Sequence, residues 1–236
     1  YARPEYITRL QQNHKAGSTY SYAGFDQLVA VSSGIIRHFL APAQEMYSLA
    51  ITELGANEDN ITSIKPSIQD EVIKKYSNSY LVGEFKKHKK DIDNNNTRQI
   101  QLEKLYRMID SLGQLFHLQL TSNSSERRVF SVAITDTPDD EMNEIIDMGE
   151  QLGYFHKSTI GNKTGTGRNR LIILSRILAP HFKLDATSFA GYKFMDSAKL
   201  RMAMIDTKRF LAQFKFTEDD SSSATQLLLF DGNNPI

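Results

Sequence analysis

Apolar positions recur along this chain with two different periods. From Phe25 they fall at helical spacing, as Phe25, Leu28 and Val29, then Ile36, Phe39, Leu40, Ala43 and Tyr47. Ser32-Ser33-Gly34 interrupts them, and Ser33 is a good N-cap, so a second helix is expected to begin there. Pro42 is expected to kink or restart it. Upstream, residues 1–10 read as a short helix or its approach, and residues 14–21 as a Gly- and Ser-bearing loop. A polar linker at 54–60 sets an expected domain boundary near residue 60.

Beyond it, Ser67-Ile68-Gln69-Asp70 fits a capping box after Pro66. The helix it opens carries Ile68, Val72, Tyr76 and Tyr80 on one face and ends in Lys86-Lys87-His88-Lys89-Lys90. After a loop at 91–97, a further helix carries Leu102, Leu105, Ile109 and Leu112 and is expected to stop at Gly113. The period then changes to two. Phe116, Leu118 and Leu120 alternate with His117 and Gln119, and Phe130, Val132 and Ile134 repeat this after a Ser-Asn turn, which predicts a β-hairpin. Thr137-Pro138-Asp139 predicts a helix start with Thr137 as N-cap. Met142, Ile145, Ile146, Gly149 and Leu152 form its buried face, and Gly153 ends it. Strands at 154–160 and 170–174 flank the loop GNKTGTG, a last helix covers 196–214, and a polar tail follows. The fold class is mostly α with small β-hairpins, that is, α+β. The divisions are 1–60, 61–195, 196–216 and 217–236.

Composition narrows the function. The 236 residues hold 28 Lys and Arg against 28 Asp and Glu, so any basic footprint must be local. There is no Cys, which removes thiol catalysis and zinc ribbons. The longest apolar runs are of the LIIL and LLLF kind, far short of the roughly 20 residues of a membrane span. No signal peptide pattern opens the chain, and a cytoplasmic location without a membrane partner is expected. The first residue is Tyr1, inside a structured-looking stretch. A piece of a longer protein is the simplest expectation, with processing of a precursor the alternative, so missing chemistry belongs upstream.

Charge is sharply segregated. Residues 139–152 hold six acids and no Lys or Arg, whereas residues 154–183 hold Lys157, Lys163, Arg168, Arg170, Arg176 and Lys183 and no acid. A Gly-rich hairpin tip can lie against a phosphate backbone, its amides approaching closely and its cations releasing counterions. The residues expected to bind DNA in this way are Lys157, Lys163, Thr164, Arg168 and Arg170. The other reading is that the basic hairpin pairs with the acidic helix beside it. A hairpin following a helix is the end of a winged-helix domain. Here the helix in the recognition position is acidic, so contacts to the backbone rather than to bases are expected. Only one helix separates the first strands from the wing, where a standard winged helix has two.

No complete active site is legible. GNKTGTGR departs from GxxxxGK[ST], because Arg168 and Asn169 follow Gly167 and two strands flank the loop. The six His show no HExxH spacing, no GxSxG elbow occurs, and the paired acids suit a helix N-terminus. Arg37, early in its helix among apolar residues, can project toward a phosphate or make a structural ion pair.

YAGFDQLVAVSSGIIRHFL resembles the lid subdomain of AAA+ ATPases of the origin-recognition and initiator type. Their second sensor motif has a Gly and then an Arg in a lid helix, and Gly34 and Arg37 match it. SERRVFSVAI, LGYFHKSTIGNKTGTGR and LAPHFKLD resemble the C-terminal part of a bacterial group of these ATPases. The resemblance spans most of residues 1–200 and implies a lid followed by a DNA-binding winged-helix domain. It implies that Arg37 contacts the terminal phosphates of ATP, with Mg, in a longer protein whose nucleotide-binding core lies upstream. This chain alone is expected to bind no cofactor and to hydrolyse no ATP. Gln226-Leu227-Leu228-Leu229-Phe230 resembles the QLxLF peptide that docks bacterial proteins on the sliding clamp, with Gln226, Leu227, Leu229 and Phe230 as its contacts and Leu at the third position where Ser or Asp is usual. The implied partners are duplex DNA, the upstream core and the clamp, with oligomers compatible. The alternative is a protein-interaction module packing on a partner or on its own ATPase core.

Overall fold

The computed structural model describes residues 21–54, 61–91, 96–121, 129–161, 167–187 and 191–214. Helix α1 (Phe25–Ser32) ends where Ser33 and Gly34 take left-handed conformations, with φ of 51° and 76°. Two such residues reverse the chain, so Ser33 is the C-cap of α1 and not the N-cap of α2, which begins at Ile36. Helix α2 (Ile36–Leu54) runs through Pro42 without a restart. The proline removes one helical N–H donor, and packing of Met46 and Ala50 beyond it holds the helix together.

Helix α3 (Pro66–Asn78) starts two residues earlier than a capping box at Ser67 predicts. Lys65 is the N-cap and Pro66 occupies the first turn. Asp70, expected to close that box, ties down neighbouring chain instead, and so does Gln69 beside it. Gln69 Nε2 donates to the Ile64 carbonyl at 2.7 Å, its Oε1 accepts the Gly24 N–H at 2.7 Å, and Asp70 Oδ1 accepts the Tyr22 N–H at 2.9 Å. A π-helical turn, Ser79–Gly83, leads directly into α4 (Glu84–Asp91).

Helix α5 (Asn96–Thr121) overturns two expectations. It passes Gly113 without stopping, and it contains Phe116, Leu118 and Leu120, which are helical and not a strand. Every residue from 111 to 121 is buried. A helix enclosed on all sides shows no amphipathic stripe, so a short stretch of it alternates by chance. Several of its polar side chains bond within the fold: Ser111 Oγ donates to the Ala203 carbonyl at 2.9 Å, and Gln119 Oε1 accepts Lys193 Nζ at 3.4 Å, whereas Gln114 Oε1 is buried without a hydrogen bond among the described residues.

Strand β1 (Ser131–Ile134) is fully buried. Helix α6 (Asp140–Gln151) is capped by Asp139, not Thr137, with Oδ1 accepting the Met142 N–H at 3.0 Å. Strands β2 (Phe155–Gly161) and β3 (Arg168–Leu174) form the expected hairpin. A short 3₁₀ turn (Arg176–Leu178) and strand β4 (Tyr192–Met195) follow. The sheet order is β2-β3-β1-β4, with β1 antiparallel to β3 and parallel to β4. The partners of β1 are therefore β3 and β4, in place of residues 116–120. The single last helix expected at 196–214 is two, α7 (Ser197–Ile205) and α8 (Thr207–Ala212). Asp206 breaks them with extended backbone and caps α8 by accepting the Arg209 N–H at 3.0 Å.

The chain divides into two compact units. One takes Tyr1–Lys87 together with Arg176–Thr187, and the other takes His88–Ser175 together with Ser188–Ile236. In the first, the buried Tyr22 phenol donates to the carbonyls of Leu184 (2.9 Å) and Ala179 (3.2 Å), and the His181 N–H donates to Ser77 Oγ at 3.1 Å. In the second, α6 presses on the sheet at Gly149, where a Cβ would meet the Phe155 ring and Leu105 Cδ1.

Candidate nucleic-acid interface

The β2–β3 register decides which side chains share a face. Lys157 pairs with Ile172, Thr159 with Arg170, and Gly161 with Arg168. Side chains directly opposite in an antiparallel pair project to the same side, so Lys157, Thr159, Arg170 and Arg168 form one row. With the turn after β1, residues 135–138, this row lines an open cleft of about 780 Å³.

The cations of that row are not equivalent. Lys157 Nζ lies 2.5 Å from Glu150 Oε2 and 2.9 Å from Asp147 Oδ1 of α6. The hydrogen bond to Glu150, then that to Asp147, holds its ammonium above the ordinary lysine value. Arg170 Nη1 donates to Asn143 Oδ1 and is half-buried. Arg168 is exposed, with one long contact of 3.4 Å to Thr159 Oγ1. Lys163 and Thr164 lie outside the described residues. Pairing of the hairpin with the acidic helix is thus realised at Lys157, while Arg168 faces solvent.

The acids of α6 are engaged on other sides as well. Arg201 and Lys104 reach Asp139 and Glu141, and Gln101 Nε2 donates to Glu144 Oε2 at 2.6 Å. Asp139 is held below the ordinary carboxylate value by the Met142 N–H and then by Arg201. Glu141 is held below it by its hydrogen bond to Lys104, with Arg201 adding to this. Sequence reading missed these clamps because their partners stand 37 to 62 residues away along the chain.

Arg37 is exposed at the second position of α2. Its neighbour His38 is buried, with Nδ1 3.1 Å from the Tyr76 hydroxyl and its ring edge-on to Tyr80 at 4.7 Å. Burial raises the Tyr76 phenol and pushes that of Tyr80 up to about 12, and the charge of Arg37 pulls both the other way. It is His38, and not Arg37, that the structure sets against these two tyrosines, whose spacing of four is visible in the sequence. Gln226, Leu227, Leu229 and Phe230 lie outside the described residues.

Among the described residues no group of His, Cys, Asp and Glu could hold a metal ion, and no helix is long and apolar enough to cross a membrane. A family model described as ORC-CDC6-like matches residues 1–194. No curated protein and no solved structure matches the chain.

Proposed function

The chain belongs to the ORC-CDC6-like family, an initiator-type AAA+ context, and from that premise we propose that it is a lid plus winged-helix region that binds the backbone of duplex DNA. The observation that carries this reading is the β2–β3 hairpin, which presents Arg168 to solvent next to a glycine-bearing loop and an open cleft. Such a tip contacts phosphates with little base discrimination. Helix α6 does not enter a groove in this reading. Its acids repel phosphate, and its cationic neighbours are spent on those acids. The wing is a variant, since its sheet carries β4 parallel to β1.

Arg37 is the residue that reaches the terminal phosphates of ATP, with Mg, when a nucleotide-binding core is present. Hydrolysis then belongs to that core and not to these residues. A second reading is favoured by the double pairing of Lys157: the hairpin is structural, and the module docks on protein, either the ATPase core or, through Gln226 to Phe230, the sliding clamp.

Fluorescence anisotropy of a labelled generic duplex at two salt concentrations separates the readings. Micromolar binding that weakens with salt, and falls in Lys163→Ala/Arg168→Ala/Arg170→Ala, supports the DNA module. No binding at low salt overturns it.

A further inference from the structure

We propose that the cleft between the β2–β3 hairpin and the turn at 135–138 holds the unpaired strand of a nucleic acid where it leaves a duplex, with Arg170 as the inner phosphate contact. This rests on the backbone-binding reading above and narrows it to a substrate, a junction of single and double strand.

Asn143 of α6 organises the inner end of the cleft. Its Oδ1 accepts from Arg170 Nη1 on β3, and its Nδ2 donates to the Pro138 carbonyl at 3.2 Å. One neutral amide thus positions the arginine on one wall and the turn on the other. The turn is also held by β4 and α7. The Thr135 N–H donates to the Met195 carbonyl at 2.9 Å, and Asp136 Oδ1 accepts the Ser197 N–H and hydroxyl, both at 2.8 Å. All these residues belong to the second unit.

The charge of the lining favours an anion. Among the described lining residues, Lys157, Arg168 and Arg170 stand against one acid, Asp136. Lys157 is committed to Glu150 and Asp147, so it adds no open charge. Arg170 is half-buried, and its partner among the described residues is the neutral Asn143. A partly desolvated guanidinium beside an amide keeps its full charge uncompensated, and a phosphate oxygen completes it.

The shape selects the strand. A volume of about 780 Å³ suits a drug-sized ligand, the size of roughly one or two nucleotides. A duplex is a stiff rod over far greater lengths, so it meets the rim, where Arg168 is exposed, and not Arg170. A single strand bends at each nucleotide and can enter. None of the described lining residues is aromatic, so bases find no stacking platform and the strand is held by its phosphates.

The test uses the full chain and two labelled probes of mixed sequence, a blunt duplex and the same duplex with a short unpaired extension. The extension is expected to tighten binding about tenfold, the worth of one charge-assisted contact. It should also steepen the slope of log K against log salt by about 0.7 per phosphate held. Arg170→Gln is expected to bring the ratio of the two affinities close to unity. Asn143→Asp, which sets an acid against the guanidinium at almost unchanged size, is expected to do the same. Thermal melting by circular dichroism checks folding, and should Arg170→Gln not fold, Asn143→Asp carries the comparison. An original chain that binds both probes alike, with salt sensitivity, overturns this proposal alone. So does an effect of the extension that survives in the variants. An original chain that binds neither probe at low salt overturns the backbone-binding reading itself, and this proposal with it.

Discussion

The Lys157 ammonium lies 2.5 Å from the Glu150 carboxylate and so ties β2 to α6 instead of facing outward. Lys157→Gln is therefore expected to change the salt dependence of DNA binding by much less than one contact. Arg168→Ala should lower the slope by about 0.9. Anisotropy titrations of the two variants side by side measure the difference. Equal slopes in both would show that the ion pair opens on binding.

Gly149 is where α6 meets the sheet most closely. A Cβ there would stand 2.8 Å from Phe155 Cε2 and 2.9 Å from Leu105 Cδ1, both in the buried core. Gly149→Ala is expected to destabilise the fold by about 1–3 kcal/mol through overpacking, despite the better helix propensity of alanine. Urea denaturation followed by far-UV circular dichroism reads this directly. A stabilised variant would refute the close packing.

Asp139 and Glu141 are both held below their ordinary values of 3.8 and 4.5. A depressed carboxylate adds stability that is present above the unfolded value and lost as pH falls through the folded one. Stability should thus hold down to about pH 5 and decline below it. Arg201→Gln should weaken that decline, because it removes one cause of both shifts. Thermal melts between pH 7 and pH 3 provide the check.

Tyr22 donates its hydroxyl to carbonyls from the segment after the hairpin. Tyr22→Phe keeps the ring and removes a buried donor. The expected cost is about 1 kcal/mol, read as a lowered urea midpoint. Amides near Ala179 and Leu184 should also exchange faster in hydrogen exchange. Unchanged exchange there would separate the phenol from that segment.

Much of the second unit is readable in sequence because its signals are local. The existence of α6, most of its buried face and the β2–β3 hairpin follow from turn residues and period, although the N-cap falls at Asp139, two residues after Thr137. Residues 116–120 misled because full burial erases helical asymmetry. Strand β4 went unseen because four residues pairing in parallel with β1, about 60 residues earlier, leave no local mark. The charge switch between α6 and the hairpin is plain in the sequence. Which cations it consumes depends on register, and register is set by pairing partners in space. Lys157 and Arg168 look alike in sequence and differ because one faces Glu150 and the other solvent.

The crossing of the chain between units has a consequence for its biosynthesis. Arg176–Thr187 completes the unit that begins the chain, and Leu178, Phe182 and Leu184 are among its buried residues. A ribosome delivers these residues only after the hairpin has emerged. The first unit must therefore wait, with part of its apolar interior unfilled, while the strands behind it are made. A stop codon anywhere before residue 187 would leave both units wanting, and a stalled chain would present a chaperone with an open core instead of a finished first domain.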